Sequence, residues 1–501
     1  MLKDLGEEIK NVEKHKTMIQ SLSYSAMKHR QGEIPVAQMG TLNWLFDARK
    51  STFVEWLQHG NGVFWVTGQA GSGKSTLMKF AAHHLQTMHY LQTWAAPSEL
   101  YTAEHYFWAA GERMQKSMQG LLQNLLHQLF RSLPGLIDIL CPDRSFDHTW
   151  DLDELRAAFN TLSNQTRLGA KFCFFIDGHD EYNDGRPECE GEFETVVKMV
   201  NTLAASGHVK ICASSRPWPA FQDEWEASKY VLEVHRLTKE DIDKYISVML
   251  AENGKFSQLA NSDERYLHLI QEISHRAKGV WLWVYLVVRD LLRDLRDNEP
   301  YKQLLVRLDS YPKELQLYYE DIYGRVERSE PTLSAQIFLL ALEVEVPLSL
   351  LVLEHPSTPE DPNVAGRALK DPVSLVTSEY MRTRTARDFL AKKSAEKCFP
   401  APKEFYARKF MAYFKYVQIR RSYSLLPDQR LREDVFDFFR VLPKHGANPD
   451  ITVQPQGEMA MPLLDYLVTH LDHAEYDELR GYHRSPEERN SHGSLRAGMD
   501  R

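Results

Sequence analysis

The sequence predicts an α/β fold in which a parallel sheet is covered by helices, followed by a mainly α-helical second half. Three observations predict it. Short apolar runs read as strands: GVFWVTG (62–68), HYFWAAG (105–111), KFCFFIDG (171–178) and HVKICASSRP (208–217). Between them lie longer stretches with helical character, such as GKSTLMKFAAHHLQ (73–86) and QGLLQNLLHQLF (119–130). Strands alternating with helices in this way form parallel sheets buried on both faces. Beyond Arg236 the strands largely stop. There LTKEDIDKYISVML offers Thr238 as an N-cap and places Ile242, Tyr245, Ile246, Met249 and Leu250 on one helical stripe.

Composition bounds the rest. The chain has 501 residues, 43% hydrophobic and 26% charged, which excludes a disordered or low-complexity protein and provides for several cores. A net charge of −9 leaves no global basic field to recruit nucleic acid. The cysteines, Cys141, Cys173, Cys189, Cys212 and Cys398, form no CxxC pair, which fits a reducing compartment. The start, MLKDLGEEIK, lacks the apolar core of a secretory signal. The most apolar run, Val280–Val288, is far shorter than the ~20 residues a membrane-crossing helix needs. It is expected to be a buried helix, and the protein to be cytoplasmic and without a membrane span.

Before the first strand, Leu2, Leu5, Ile9, Val12 and Ile19 recur at helical spacing, and STFVEWLQHG suggests a short helix ending at Gly60. Then comes GQAGSGKS, Gly68 to Ser75, which fits G-x-x-x-x-G-K-[ST] in full and lies between a strand and a helix. Gly68, Gly71 and Gly73 let the backbone bend so that successive N–H groups converge on phosphate oxygens. The helix N-terminus adds partial positive charge. Lys74 is suited to the β- and γ-phosphates and Ser75 to Mg²⁺. The candidate nucleotide site is therefore Gly68, Gly71, Ser72, Gly73, Lys74, Ser75 and Thr76. No base-reading motif chooses between ATP and GTP.

FCFFID, Phe172 to Asp177, is an apolar strand ending in a carboxylate. In a P-loop fold it is expected beside the P-loop strand, which brings Asp177 to the metal. Asp180 and Glu181 lie one turn further out, where a carboxylate can orient or deprotonate an attacking water. The strand KICASS ends in Ser214, Ser215 and Arg216, and a guanidinium held before Pro217 suits the γ-phosphate.

The order GQAGSGKS, FFIDGHDEY, ICASSRPW resembles the NACHT branch of the STAND signalling ATPases, in which an acidic pair follows the metal-binding Asp after a small residue. More narrowly, IPVAQMGTLNWLF, AKGVWLWVYLVVRDLL and RTARDFL are similar to fungal NACHT proteins related to heterokaryon-incompatibility and innate-immunity-like receptors, with a nephrocystin-3-like P-loop domain. The likeness covers roughly residues 20–395. It implies an α/β P-loop NTPase sheet followed by α-helical and winged-helix-like domains. The expected division is an N-terminal helix and linker (1–48), the P-loop domain (49–235), a helical domain (236–300), a winged-helix-like domain (301–395), a helical region (396–477) and a disordered tail (478–501). It also implies a nucleotide-dependent switch that hydrolyses slowly, opens and forms homo-oligomers, signalling to an effector or ligand protein the sequence does not name. With only about 20 residues ahead of the shared region, the effector domain of such proteins is expected to be truncated or supplied by a partner. Two rival functions are a mechanical AAA+-like ATPase and a non-hydrolysing scaffold stabilised by nucleotide.

Weaker signals read as ordinary structure. HGANPD (445–450) resembles one ankyrin-type loop, and one unit cannot bury its own face. His83, His84 and His89, like His470, His473 and His483, lack a metal-ligand pattern. Trp65, Trp108, Trp281 and Trp283 are expected in the core, as are Cys173 and Cys212. The resembled winged-helix motif carries a phosphate-touching His where TRTARDFL has Thr383, between Arg382 and Arg384. Thr383→His is accordingly expected to tighten diphosphate binding and reduce spontaneous oligomerisation. Diphosphate titration beside size-exclusion with light scattering checks this, and no change in either quantity contradicts it.

Overall fold

The computed structural model describes residues 2–312, apart from short gaps at 25, 110, 143, 145–148, 166–167, 184–192 and 297–300; beyond these it describes Leu317, Glu320 and the pairs 452–453 and 461–462. One compact unit spans Met1–Tyr318 and a second Tyr319–Arg501. In the second, Thr452–Val453 and Met461–Pro462 pair antiparallel. The winged-helix-like domain beyond its first residues, Thr383, the ankyrin-like loop and the tail lie outside the described residues.

Five parallel strands make the sheet of the first unit: β1 (Gly62–Thr67), β2 (Glu99–Tyr106), β3 (Ala170–Asp177), β4 (Val209–Ser215) and β5 (Val231–Glu233), in the order β2-β3-β4-β1-β5. The α/β expectation holds, with differences of detail. β3 pairs with β2 and β4, so it is not beside β1; β4 lies between them. HYFWAAG contributes only its first two residues to β2, and β5 is a short edge strand that no apolar run announces.

Side-chain alternation divides the core into two layers. Phe172, Phe174 and Ile176 of β3 join Trp65, Ile211 and Ala213 under the helices Met118–Ser132, Leu152–Asn164 and Glu194–Ala204. Cys173 and Phe175 turn to the opposite face with Phe64, Val66 and Cys212. That face is covered by α3 (Phe53–His59), α4 (Lys74–His83) and the helix Leu85–Ala95. The stretch after the P-loop is thus two helices: His84 leaves the helical region and accepts the Gln86 N–H as an N-cap. Ahead of the sheet come α1 (Leu2–Ser21) and α2 (His29–Glu33). α1 buries Met18, and Leu22 just beyond it, while Val12 is 66% exposed, so the expected seam is only partly the packed one.

Beyond β5 the described residues of the first unit are helical, with Lys239–Ala251 burying Ile242, Ile246 and Leu250 as the stripe predicts. Thr238 stands before it without a side-chain cap bond. The apolar run 280–288 leads into and forms the first half of the helix Trp281–Arg296, where Trp283, Val284 and Leu286 to Val288 are buried, and among the described residues no helix is long and apolar enough to cross a membrane. Asp241 reaches back from the helical region to accept the Leu42 N–H at 2.8 Å and the Trp44 indole N–H at 2.7 Å. Both donors and the carboxylate are buried.

Lys210 of β4 is fully buried. Its ammonium donates to the carbonyls of Trp56 (2.5 Å) and Leu57 (2.7 Å) near the end of α3, and lies 4.4 Å from the Trp94 ring centroid. Burial pushes its pKa from 10.5 down to about 8. Between those values the unfolded chain holds a proton that the folded chain lacks, so stability rises with pH across that window. Wild type should therefore gain stability relative to Lys210→Met from about pH 8 upward. Paired denaturation curves read this difference, and a flat one contradicts it.

Candidate functional site

The sheet register brings the candidate residues to one edge. Thr67 pairs with Ser215, and Tyr106 with Asp177, so the P-loop, the acidic turn and the end of β4 all leave the same C-terminal side of the sheet. Ligands of open parallel sheets bind at this edge, where loops and helix N-termini converge.

The P-loop runs from buried Gly68 into α4. Gly73 caps α4 with φ +92°, a conformation L side chains rarely adopt. Lys74 bends back over the loop, its ammonium donating to the carbonyls of Gly68 at 2.7 Å and Gln69 at 3.0 Å. Burial lowers its pKa. Asp180, Asp177 and Glu181 oppose that effect, and Arg216 adds to it, so all four charges act on this ammonium. Ser72 is fully buried and its hydroxyl has no hydrogen-bond partner. A loop with a buried orphan hydroxyl, and a lysine provisionally satisfied by its own loop carbonyls, fits an arriving phosphate.

Asp177 ends β3 and is buried. Ser214, from β4, donates to its Oδ1 at 2.5 Å and accepts the Gly178 N–H at 2.9 Å. Burial raises the Asp177 pKa; the Ser214 and Ser75 hydroxyls and the charges of Arg30 and Lys74 hold it down. Ser75 and Asp177, separated in sequence, thus meet across β4. One hydroxyl and one carboxylate fit Mg²⁺, which keeps several of its waters. No group of three or more His, Cys, Asp or Glu able to hold a metal occurs among the described residues.

The acidic turn is a short 3₁₀ helix, His179–Glu181, entered through Gly178 at φ +75°. Asp180 accepts the Arg216 N–H at 3.1 Å and stands 3.0 Å from the Arg216 Nε. The two residues singled out separately in the sequence are therefore one ion pair, its carboxylate buried and its guanidinium half-buried. Glu181 instead accepts the Ala109 N–H at 2.8 Å, from the loop after β2. His179, which opens the turn, is buried with its ring against Phe107, Phe221 and Trp225 and held by the Ser214 carbonyl at 3.0 Å; burial pushes its pKa down to about 4.

Two features carry no clear sequence signal. The helix Trp281–Arg296 begins on the P-loop: the Leu282 N–H donates to the Gly71 carbonyl at 3.0 Å, and the Trp281 ring lies 3.2 Å from where a Cβ on Gly73 would stand. Trp281 is consequently half-buried against the site, whereas Trp65, Trp108 and Trp283 are core residues as expected. Also, a cavity of about 550 Å³ opens beside Gly68 and Thr67, bounded by Lys50 and Thr52 ahead of α3, by Glu233 at the end of β5 and by His235 just after it. Its size suits a small organic ligand.

A family model described as nephrocystin 3, N-terminal, matches residues 40–216 of the 501, a span that includes every site residue above except Arg30, Glu233, His235, Trp281 and Leu282. No curated protein matches. A solved structure described as Drosophila ORC bound to DNA aligns at 14% identity, covering 63% of this chain and 75% of that one, with a TM-score of 0.30, too low to carry an argument.

Ser214→Ala removes the donor to Asp177 and the acceptor of Gly178 together. It should cost about 1.5–3 kcal/mol, as for a hydrogen bond to a charged group. A lower melting midpoint with faster exchange of the Gly178 amide is the expected result.

Proposed function

We propose that the protein is a nucleotide-dependent switch of the STAND type, close to the fungal NACHT proteins its motifs resemble. It binds ATP or GTP with Mg²⁺, hydrolyses it slowly, and uses the bound state to control opening and homo-oligomerisation in an innate-immunity-like or incompatibility-like response. The observation that carries this reading is the loop itself: it folds Lys74 back over its own carbonyls, buries an unpartnered Ser72 hydroxyl and enters α4 at the edge where β1, β3 and β4 end, the edge that also carries Asp177.

In this reading Gly68, Gly71, Ser72, Gly73 and Thr76 cradle phosphate with backbone N–H groups and hydroxyls. Lys74 leaves its loop carbonyls for the β- and γ-oxygens. Ser75 and Asp177 hold the metal, and bound Mg²⁺ supplies the charge that neutralises the phosphate oxygens. Glu181 orients or deprotonates the attacking water. Asp180 fixes Arg216, whose guanidinium faces the phosphate side. The cavity beside Gly68 takes the base and ribose.

Two contacts favour a slow switch over a mechanical ATPase. Glu181 is held by the Ala109 N–H, and so is turned partly away from water chemistry. The helical region touches the P-loop backbone directly, through Leu282 on Gly71, so filling the loop and moving that region are coupled. The division into a P-loop domain (49–235), helical domain (236–300) and winged-helix-like domain (301–395) and the cytoplasmic setting belong to the same proposal.

A nucleotide at a hundred times its Kd stabilises a binding protein by about 2.7 kcal/mol. Wild type should show that thermal shift with Mg-ATP or Mg-GTP, and Lys74→Ala should lose it. Glu181→Gln should keep the shift while retaining bound triphosphate for longer. An undiminished shift in Lys74→Ala would sink the reading, and unchanged hydrolysis in Glu181→Gln would remove that residue's role.

A further inference from the structure

We propose that Arg30, carried by α2 ahead of the P-loop, binds the terminal phosphate of the nucleoside triphosphate and lets the site distinguish triphosphate from diphosphate. The inference rests on the nucleotide-binding reading above and deepens it.

α2 is fastened to the site from two sides. Lys79 of α4 donates to the carbonyls of Gln31 at 2.7 Å and Ile34 at 2.8 Å, so the helix that begins with Lys74 also holds α2. The Gln31 side-chain amide donates to Glu104 of β2, and His29 stacks on Trp108 with centroids 5.4 Å apart. The Arg30 guanidinium lies 5.7 Å from the Trp108 ring centroid. Trp108 immediately precedes Ala109, whose N–H holds Glu181. Arg30 therefore approaches the acidic turn from the β2 side, opposite the edge where β1 and β5 bound the cavity.

The guanidinium is otherwise poorly occupied. Its Nε is buried and has no hydrogen-bond partner. A buried guanidinium N–H without an acceptor is costly, and a phosphate oxygen is a strong, charge-assisted acceptor for it. The other two cations are engaged by the protein: Arg216 by Asp180, and Lys74 by its own loop. Glu181 is the residue assigned to the attacking water, so a cation that stands beside Trp108, next to the loop residue that holds Glu181, and on the side away from the base cavity, faces the terminal phosphate. Arginines supplied in cis to that phosphate are known in other P-loop folds. Here the residue comes from ahead of the first strand, outside the P-loop, the acidic turn and the end of β4.

The test uses the full chain and four probes: the di- and non-hydrolysable triphosphates of adenosine and guanosine, each with Mg²⁺, titrated calorimetrically. With whichever base binds, Arg30→Gln should weaken triphosphate binding about tenfold or more, the scale of a charged hydrogen bond, and diphosphate binding less than about twofold. Arg30→Lys keeps the charge but loses the fork; it should fold and show a smaller loss confined to the triphosphate. Circular dichroism and melting confirm folding, and if Arg30→Gln does not fold, Arg30→Lys decides alone. Equal losses for both nucleotides, or none, overturn the proposal and leave Arg30 as a packing partner of Trp108. Lys74→Ala separates the two levels: if it binds neither nucleotide, the P-loop reading stands whatever Arg30 does. If it binds both like wild type, that reading fails and this proposal with it.

Discussion

The placement of β4 between β1 and β3 is the constraint on which the site depends. Two interstrand spacings, about 10 Å in all, then separate the strand that feeds the P-loop from the strand that ends in Asp177. β4 occupies the gap with small residues. Ala213 pairs with Trp65 on one side and Ile176 on the other, and Ser214 follows it. A larger side chain at Ser214 would meet Asp177 directly; a hydroxyl instead donates to it and accepts the next backbone N–H. The loop from β1 can therefore lean across β4 and bring Ser75 to that carboxylate.

Charge is concentrated there to an extent that only mutual compensation allows. Lys74, Arg30 and Arg216 stand against Asp177, Asp180 and Glu181, mostly out of water. Each charge is costly to bury alone and tolerable in company. The three acids and three bases are close to neutral as a group. A polyphosphate with its metal would redraw these pairings, and the helix seated on Gly71 would feel the change.

How much of this was legible in the sequence follows from how local each feature is. The P-loop is eight consecutive residues whose geometry is set by its own glycines, so GQAGSGKS located Lys74 and Ser75 directly. The placing of Asp177 at a strand end was legible because a carboxylate closing the apolar run FCFFI is itself a local pattern. The start of β2 was not: ELYTAEHY mixes polar and apolar residues, and its pairing with β3 overrides that texture. The neighbour of β3 was misplaced because strand order is a property of the assembled sheet. His84 broke an otherwise helical run by capping the next helix. The Asp180–Arg216 pair, the seat of Trp281 and the approach of Arg30 each join residues distant in sequence, and no periodicity announces them.

The Asp241 clasp bears on how the molecule can be divided. Its carboxylate is satisfied by Leu42 and Trp44, on the far side of the boundary that sequence alone places at residue 48. A fragment beginning at 49 would strip both donors from a buried acid and remove Trp44 and Leu45 from the layer they share with Phe53 and Trp56. The linker is thus a structural part of the domain it precedes. Any dissection that keeps the helical region must carry the chain back to at least Leu42.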